Sequence, residues 1–262
     1  MTAVAPAAPL RRFTRYRRWA PEWWLLAPIA AAWVVMAGHA VADVAATGAS
    51  AGPGAIQPAR ALLVCLVPSV GATGRGALEA AAMTVAMMLP LALPVVRHVA
   101  LNSLRRRQQR AMVLFLAAFL VPTVAAGILA SGALAAAPGD RRAWIVVALL
   151  IAAAYQLSRP KRRAIADCRR LVPLPPDGRL ADVADLRFGL EAAWRCLRAS
   201  WALMLPVTML GSGGLIVAAM ATSLLLAEDP GRLGLRVLAP SAAVLATAAV
   251  MVAVGVSVAV VP

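Results

Sequence analysis

Seven apolar runs, separated by short blocks of Arg, Lys, Pro and Gly, leave this 262-residue chain little choice of architecture. They cover approximately residues 22–42, 76–96, 111–134, 143–157, 190–210, 214–227 and 237–257. Most approach the roughly 20 residues that a helix needs to cross the hydrocarbon core of a bilayer. Their apolar residues run continuously rather than alternating, which argues against a membrane β-barrel. Charged residues make up only 14% of the chain, against about 25% in a soluble domain. The expected fold is therefore all-α, a polytopic transmembrane helix bundle of about seven spans. It has six if the first is a cleaved signal. Ala40-Val-Ala42 has the small-residue pattern of a signal-peptidase site, but the apolar run before it is long for a signal peptide and favours a retained anchor.

Orientation follows from the charges. The net charge of +15 would suggest nucleic acid in a soluble protein. Here the basic residues sit in short blocks between apolar runs, so no nucleic-acid partner is expected and the partner is the lipid bilayer. With the N-terminus inside, only Arg60, Arg75, Arg141 and Arg142 of the 26 basic residues fall on the outer side. That asymmetry is the positive-inside pattern and predicts an N-in, C-out chain. Residues 1–21 form a basic cytoplasmic N-terminal segment, and 22–262 a single transmembrane helical domain. Trp19, Trp23 and Trp24 suit an interfacial belt. The apolar stretch 61–70 is too short to cross and reads as interfacial or re-entrant. Residues 158–187, with Pro173-Leu-Pro-Pro-Asp-Gly178, read as a turn-rich connector.

The second run raises a chemical question. Between Ala81 and Ala100 it holds Met83, Met87, Met88, Pro90, Pro94, Arg97 and His98. Met83 and Met87 share a helical face, and Met88 lies about 100° round. Thioethers are soft ligands suited to Cu(I), and helix-loosening prolines occur where spans line a site. Methionine is equally a flexible filler of irregular cores. In the fifth run Cys196 and Met204, eight apart, face one side two turns distant, with Met209 beyond, and Glu191 can pair with Arg195 at i,i+4. Cys168 stands amid positive charge, which would lower its thiol pKa and favour the metal-binding thiolate. His98 is either an access ligand or a helix-terminal histidine complementing the dipole. His39 reads as an interfacial residue, and Cys65 as packing.

Ala86-Met-Met-Leu-Pro-Leu-Ala-Leu-Pro94 followed by Arg97-His98 resembles the signature of a bacterial family of predicted metal-binding integral membrane proteins. Its function is unassigned, and some members carry copper-chaperone labels. The resemblance continues through Tyr155-Gln-Leu-Ser-Arg-Pro-Lys161, Phe188-Gly-Leu190 and Trp201-Ala-Leu-Met204, over roughly residues 76 to 228. It implies a multi-pass inner-membrane protein of bacteria with a metal role, and marks Met87, Met88, His98, Cys168, Cys196 and Met204; Met83 and Met209 match less closely. The chain departs from the pattern at Ala164, Glu191, Ala199 and Ser200, where relatives carry Cys or His, so it has fewer thiolates than they do.

The leading expectation is a membrane-embedded accessory protein that binds or relays copper, as Cu(I), through Met and Cys side chains. Its partner would be a membrane protein or copper-dependent membrane enzyme. An alternative is a structural or assembly subunit that has kept the fold without the metal site. A third is a small-molecule transporter, but the charged residues within the spans, such as Glu79, Arg195 and Arg198, read as lying toward span ends rather than at the midplane, where such a site belongs. No nucleophile–base pair, HExxH or phosphate-binding loop is evident, so the chain is not expected to be an enzyme.

Overall fold

The structure is a computed structural model that describes residues 21–50, 73–168, 170–210, 215–228 and 234–253. The basic N-terminal stretch with Trp19, the 61–70 segment with Cys65, the Gly211-Ser-Gly-Gly214 break, Arg232 and the end of the seventh run lie outside these residues.

The described residues form eight α-helices and no strand, as expected for runs with no period-two alternation. They are α1 (Leu26–Ser50), α2 (Thr73–Asn102), α3 (Gln108–Ala135), α4 (Arg141–Leu157), α5 (Arg159–Cys168), α6 (Arg179–Leu210), α7 (Leu215–Ala227) and α8 (Leu238–Ala253). Three stretches, Trp23–Ala42, Gly76–Asn102 and Gln108–Leu134, are long and apolar enough to cross a membrane. A fourth is added if α4 and α5, bent by 72° at their junction, are one broken span. The remaining runs differ for clear reasons. Helices α7 and α8 have only 13 and 16 residues. Helix α6 has 32, but Glu191, Arg195 and Arg198 interrupt its apolar part.

The connector expected at 158–187 is largely helical. Its prolines do not prevent this, because Pro160 falls in the first turn of α5, where a missing N–H is tolerated. Ser158 caps that turn, its Oγ accepting from the Lys161 backbone N–H at 3.2 Å. Lys161, Ala164 and Ile165 then form a buried face. The true turn is confined to the few residues before α6. There Asp177 accepts from the Gly178 N–H at 2.9 Å, and Gly178 adopts φ +89°, a left-handed conformation natural for glycine.

Helix α3 lies between α2 and α6 and packs more extensively on α6 than on any other helix. Phe115 makes that contact, its ring 6.0 Å from Phe119 and 5.6 Å from Phe188. A second, smaller core joins Ile145, Ala148 and Leu149 of α4 to Ala249 of α8 and Met209 of α6. Polar contacts fasten helix ends. His39 of α1 meets Glu79 of α2 at 3.3 Å, and Glu22 meets Arg97 at 3.9 Å. Arg142 donates to the Val252 carbonyl at 2.8 Å. Beside α6, Arg107 bridges Asp182 at 2.7 Å and the fully buried Asp185 at 2.6 Å, while Arg110 adds a second bond to Asp182 at 2.6 Å. Burial pushes the Asp185 carboxyl up, and the Arg107 hydrogen bond pulls it back.

Gly189 sets how closely α6 can approach α3. A Cβ there would stand 2.6 Å from the Phe115 carbonyl oxygen and 2.8 Å from the Ala118 Cβ. Gly189→Ala is therefore expected to destabilise the protein by about 1–3 kcal/mol through overpacking, although alanine is the better helix former. Gly132→Ala, with nothing within 4 Å of the new methyl, should leave stability unchanged or raised. Thermal unfolding in detergent checks both; equal effects would remove the special role of Gly189.

Candidate functional site

Cys196, Ser200 and Met204 follow at intervals of four residues and so form one row along α6. Met88 of α2 faces that row. The Cys196 thiol donates to the Met88 sulfur across 3.5 Å, and the Ser200 hydroxyl lies 3.9 Å from the Met88 sulfur and 3.7 Å from that of Met204. Ser200 also donates to the Cys196 carbonyl at 2.9 Å, which holds the hydroxyl in place. Met88, Ser200 and Met204 are buried and Cys196 half-buried. Two helices 108 residues apart in sequence thus bring three sulfurs and one hydroxyl together.

The donors are chemically consistent. Two sulfurs about 4 Å apart can share an ion bonded to each at about 2.3 Å, the length of a metal–thiolate bond, and the Cys196–Met88 separation of 3.5 Å needs little adjustment. Thioether and thiolate together favour Cu(I) over hard cations. Among the described residues, no three His, Cys, Asp or Glu side chains converge on a metal-sized point.

Cys196 and Ser200 border a cavity of about 180 Å³ between α2, α3, α5, α6 and α7. Pro90, Pro94, Phe115 and Phe119 give it an apolar wall, and Cys168 and Glu228 are its other polar residues. Cys168 thus joins Cys196 at one cavity, but not as the activated thiolate expected from its charged neighbourhood. Burial pushes its thiol up to about 11, outweighing the opposing pull of Lys161 and Arg195. Proximity of cations in sequence did not reveal which way the side chain turns.

The other sulfur and imidazole candidates divide. Met83 and Met87 are buried in the main core on the neighbouring face of α2. Met209 belongs to the second core. His98 lies apart, its Nε2 3.1 Å from the Val172 carbonyl and its ring edge-on to Phe188 at 6.2 Å. There it fastens the chain that follows α5. The expected Glu191–Arg195 pair forms at 2.9 Å, and Arg195 also donates to the Arg170 carbonyl at 3.2 Å.

Sequence reasoning missed a buried polar cluster at this cavity. Lys161, wholly buried, lies 2.7 Å from Glu228 Oε2 and donates to the Ala199 carbonyl at 2.7 Å. Gln156 donates to Glu228 Oε1 at 2.8 Å. Nothing separates Lys161 from its basic neighbours except its position on the inner face of a helix that had been read as a connector.

With its thiol raised to about 11, only about one Cys168 in a thousand is thiolate at pH 8. In a Cys65→Ser/Cys196→Ser background, alkylation of Cys168 by iodoacetamide should be far slower than that of a free thiol at pH 8. It should rise about tenfold per pH unit to at least pH 9.5. Free-thiol reactivity at pH 8 would contradict the buried placement.

No curated protein and no solved structure matches the chain. A family model described as a copper chaperone, PpoB2, matches residues 80–252, well over half of the sequence. That interval contains Met88, Cys196, Ser200, Met204, Lys161 and Glu228. The chain belongs to this copper chaperone family.

Proposed function

We propose that this protein is a multi-pass protein of the bacterial inner membrane that binds Cu(I) at Met88, Cys196 and Met204 and passes it on by ligand exchange, without catalysis. The observation that carries this reading is the 3.5 Å contact between the Cys196 and Met88 sulfurs, made across two helices inside a buried core. Thioethers hold Cu(I) as neutral ligands, and one thiolate balances its charge. The recipient is a membrane protein or copper-dependent enzyme reached in the plane of the bilayer.

The seven-span, N-in and C-out arrangement is part of the proposal. Each contact that joins the ends of predicted spans joins ends that this alternation puts on one side: Glu22 with Arg97 inside, His39 with Glu79 outside, and Arg142 with Val252 outside. Exposed Val34, Val121, Leu129 and Val250 suit contact with lipid. On this arrangement Cys168, Cys196 and Glu228 lie toward the cytoplasmic side.

The test is Cu(I) retention by detergent-purified protein against a chromophoric chelator. The wild type should keep about one Cu(I) per chain. Met88→Leu/Cys196→Ala should weaken binding by more than about tenfold, and Met83→Leu/Met87→Leu should leave it near the wild-type value, since leucine preserves volume in the core. Absence of bound copper in the wild type, or equal retention in all three proteins, would overturn the proposal.

A further inference from the structure

Beside Cys168, the cavity holds a second functional group that the copper reading does not use. Glu228, 3% exposed, is the sole carboxylate among the described lining residues, and it shares the cavity with the thiols of Cys168 and Cys196. Two thiolates and a carboxylate are three of the four ligands a tetrahedral zinc site requires, with water as the fourth. Oxygen donors also widen a site's acceptance toward harder cations. A protein that discriminates for Cu(I) must keep this carboxylate out of coordination.

Resting on the copper reading above, we propose that Lys161 and Gln156 determine the metal preference of this cavity by occupying both oxygens of Glu228. Lys161 Nζ takes Oε2 at 2.7 Å and Gln156 Nε2 takes Oε1 at 2.8 Å. Lys161 is itself fixed, since it also donates to the Ala199 carbonyl, next to Ser200, at 2.7 Å and has no exposed surface. The ammonium thus cannot swing aside to release the carboxylate without breaking a second buried bond. Its charge acts in the same direction, because its repulsion of a divalent cation is twice that of a monovalent one at equal distance.

The experiment measures Zn²⁺ and Cu(I) binding side by side in the full-length protein in detergent, each by competition with a chromophoric chelator. The proteins are wild type, Lys161→Met, Lys161→Gln and Lys161→Met/Glu228→Gln. Zn²⁺ affinity should rise at least about tenfold in Lys161→Met and by less in Lys161→Gln, which keeps a hydrogen-bonding group. It should return to the wild-type value in the double variant, with Cu(I) retention unchanged throughout. Lys161→Gln decides the matter if Lys161→Met does not fold. A folded single variant with wild-type Zn²⁺ affinity would overturn the proposal, as would a double variant that keeps the gain. Failure of the wild type to retain Cu(I) would instead overturn the underlying copper reading, and the two results are read from separate titrations.

Discussion

The buried stripe of α6 organises the rest of the structure. Ala181, Asp185, Gly189, Ala193, Cys196, Ser200, Leu203 and Val207 recur at three- and four-residue intervals, with Phe188 beside Gly189, and all but the half-buried Cys196 are buried. Leu190 and Trp194 point away from the core. One face therefore carries the acceptor for Arg107, the glycine against which α3 rests, and the row of thiol, hydroxyl and thioether that meets Met88. These features share one helical rotation. A shift of one residue would turn the face by about 100°, separating the sulfurs and leaving Asp185 without its guanidinium. The ion pair and the close packing at Gly189 resist such a shift in different ways, one by charge and one by shape.

The buried charges need a similar account. Removing an ion from water costs several kcal/mol, and a partner repays this only with good geometry and further hydrogen bonds. Lys161–Glu228 meets that condition, with Gln156 and the Ala199 carbonyl as additional partners. Arg107 is shared by two carboxylates, Asp182 and Asp185, and Arg110 restores the balance at Asp182. Both clusters tie segments outside the long apolar helices to α6 or α7. They do for the ends of the bundle what apolar packing does for its middle.

Much of this was legible in the sequence. Helical class followed from the continuity of the apolar runs, and the shared face of Cys196 and Met204 from their spacing. The choice of Met88 over Met83 and Met87 was not legible. Those residues differ only in which side of α2 they occupy, and the rotation of α2 is set by its neighbours, including the close approach of Gly127 to Thr84. Helix α5 was hidden because Pro160, Pro173, Pro175 and Pro176 in one stretch suggest turns throughout, whereas position within the helix decides whether a proline breaks it. Lys161 was hidden because burial cannot be read from one lysine among several. The direction of the Cys168 shift was missed for the same reason.

Pro90 and Pro94 give the cavity wall a mechanical character of its own. Each lacks the N–H that would bond to the carbonyl four residues earlier, at Ala86 and Pro90, so two consecutive turns of α2 have lost a strut. Both prolines border the cavity, and α2 has no other proline on either side of them. The helix is consequently most compliant where it faces the cavity and stiff on either side. A guest slightly larger or smaller than the space can be met by elastic bending of this one rod, while the interlocked aromatic rings of α3 and α6 keep their places.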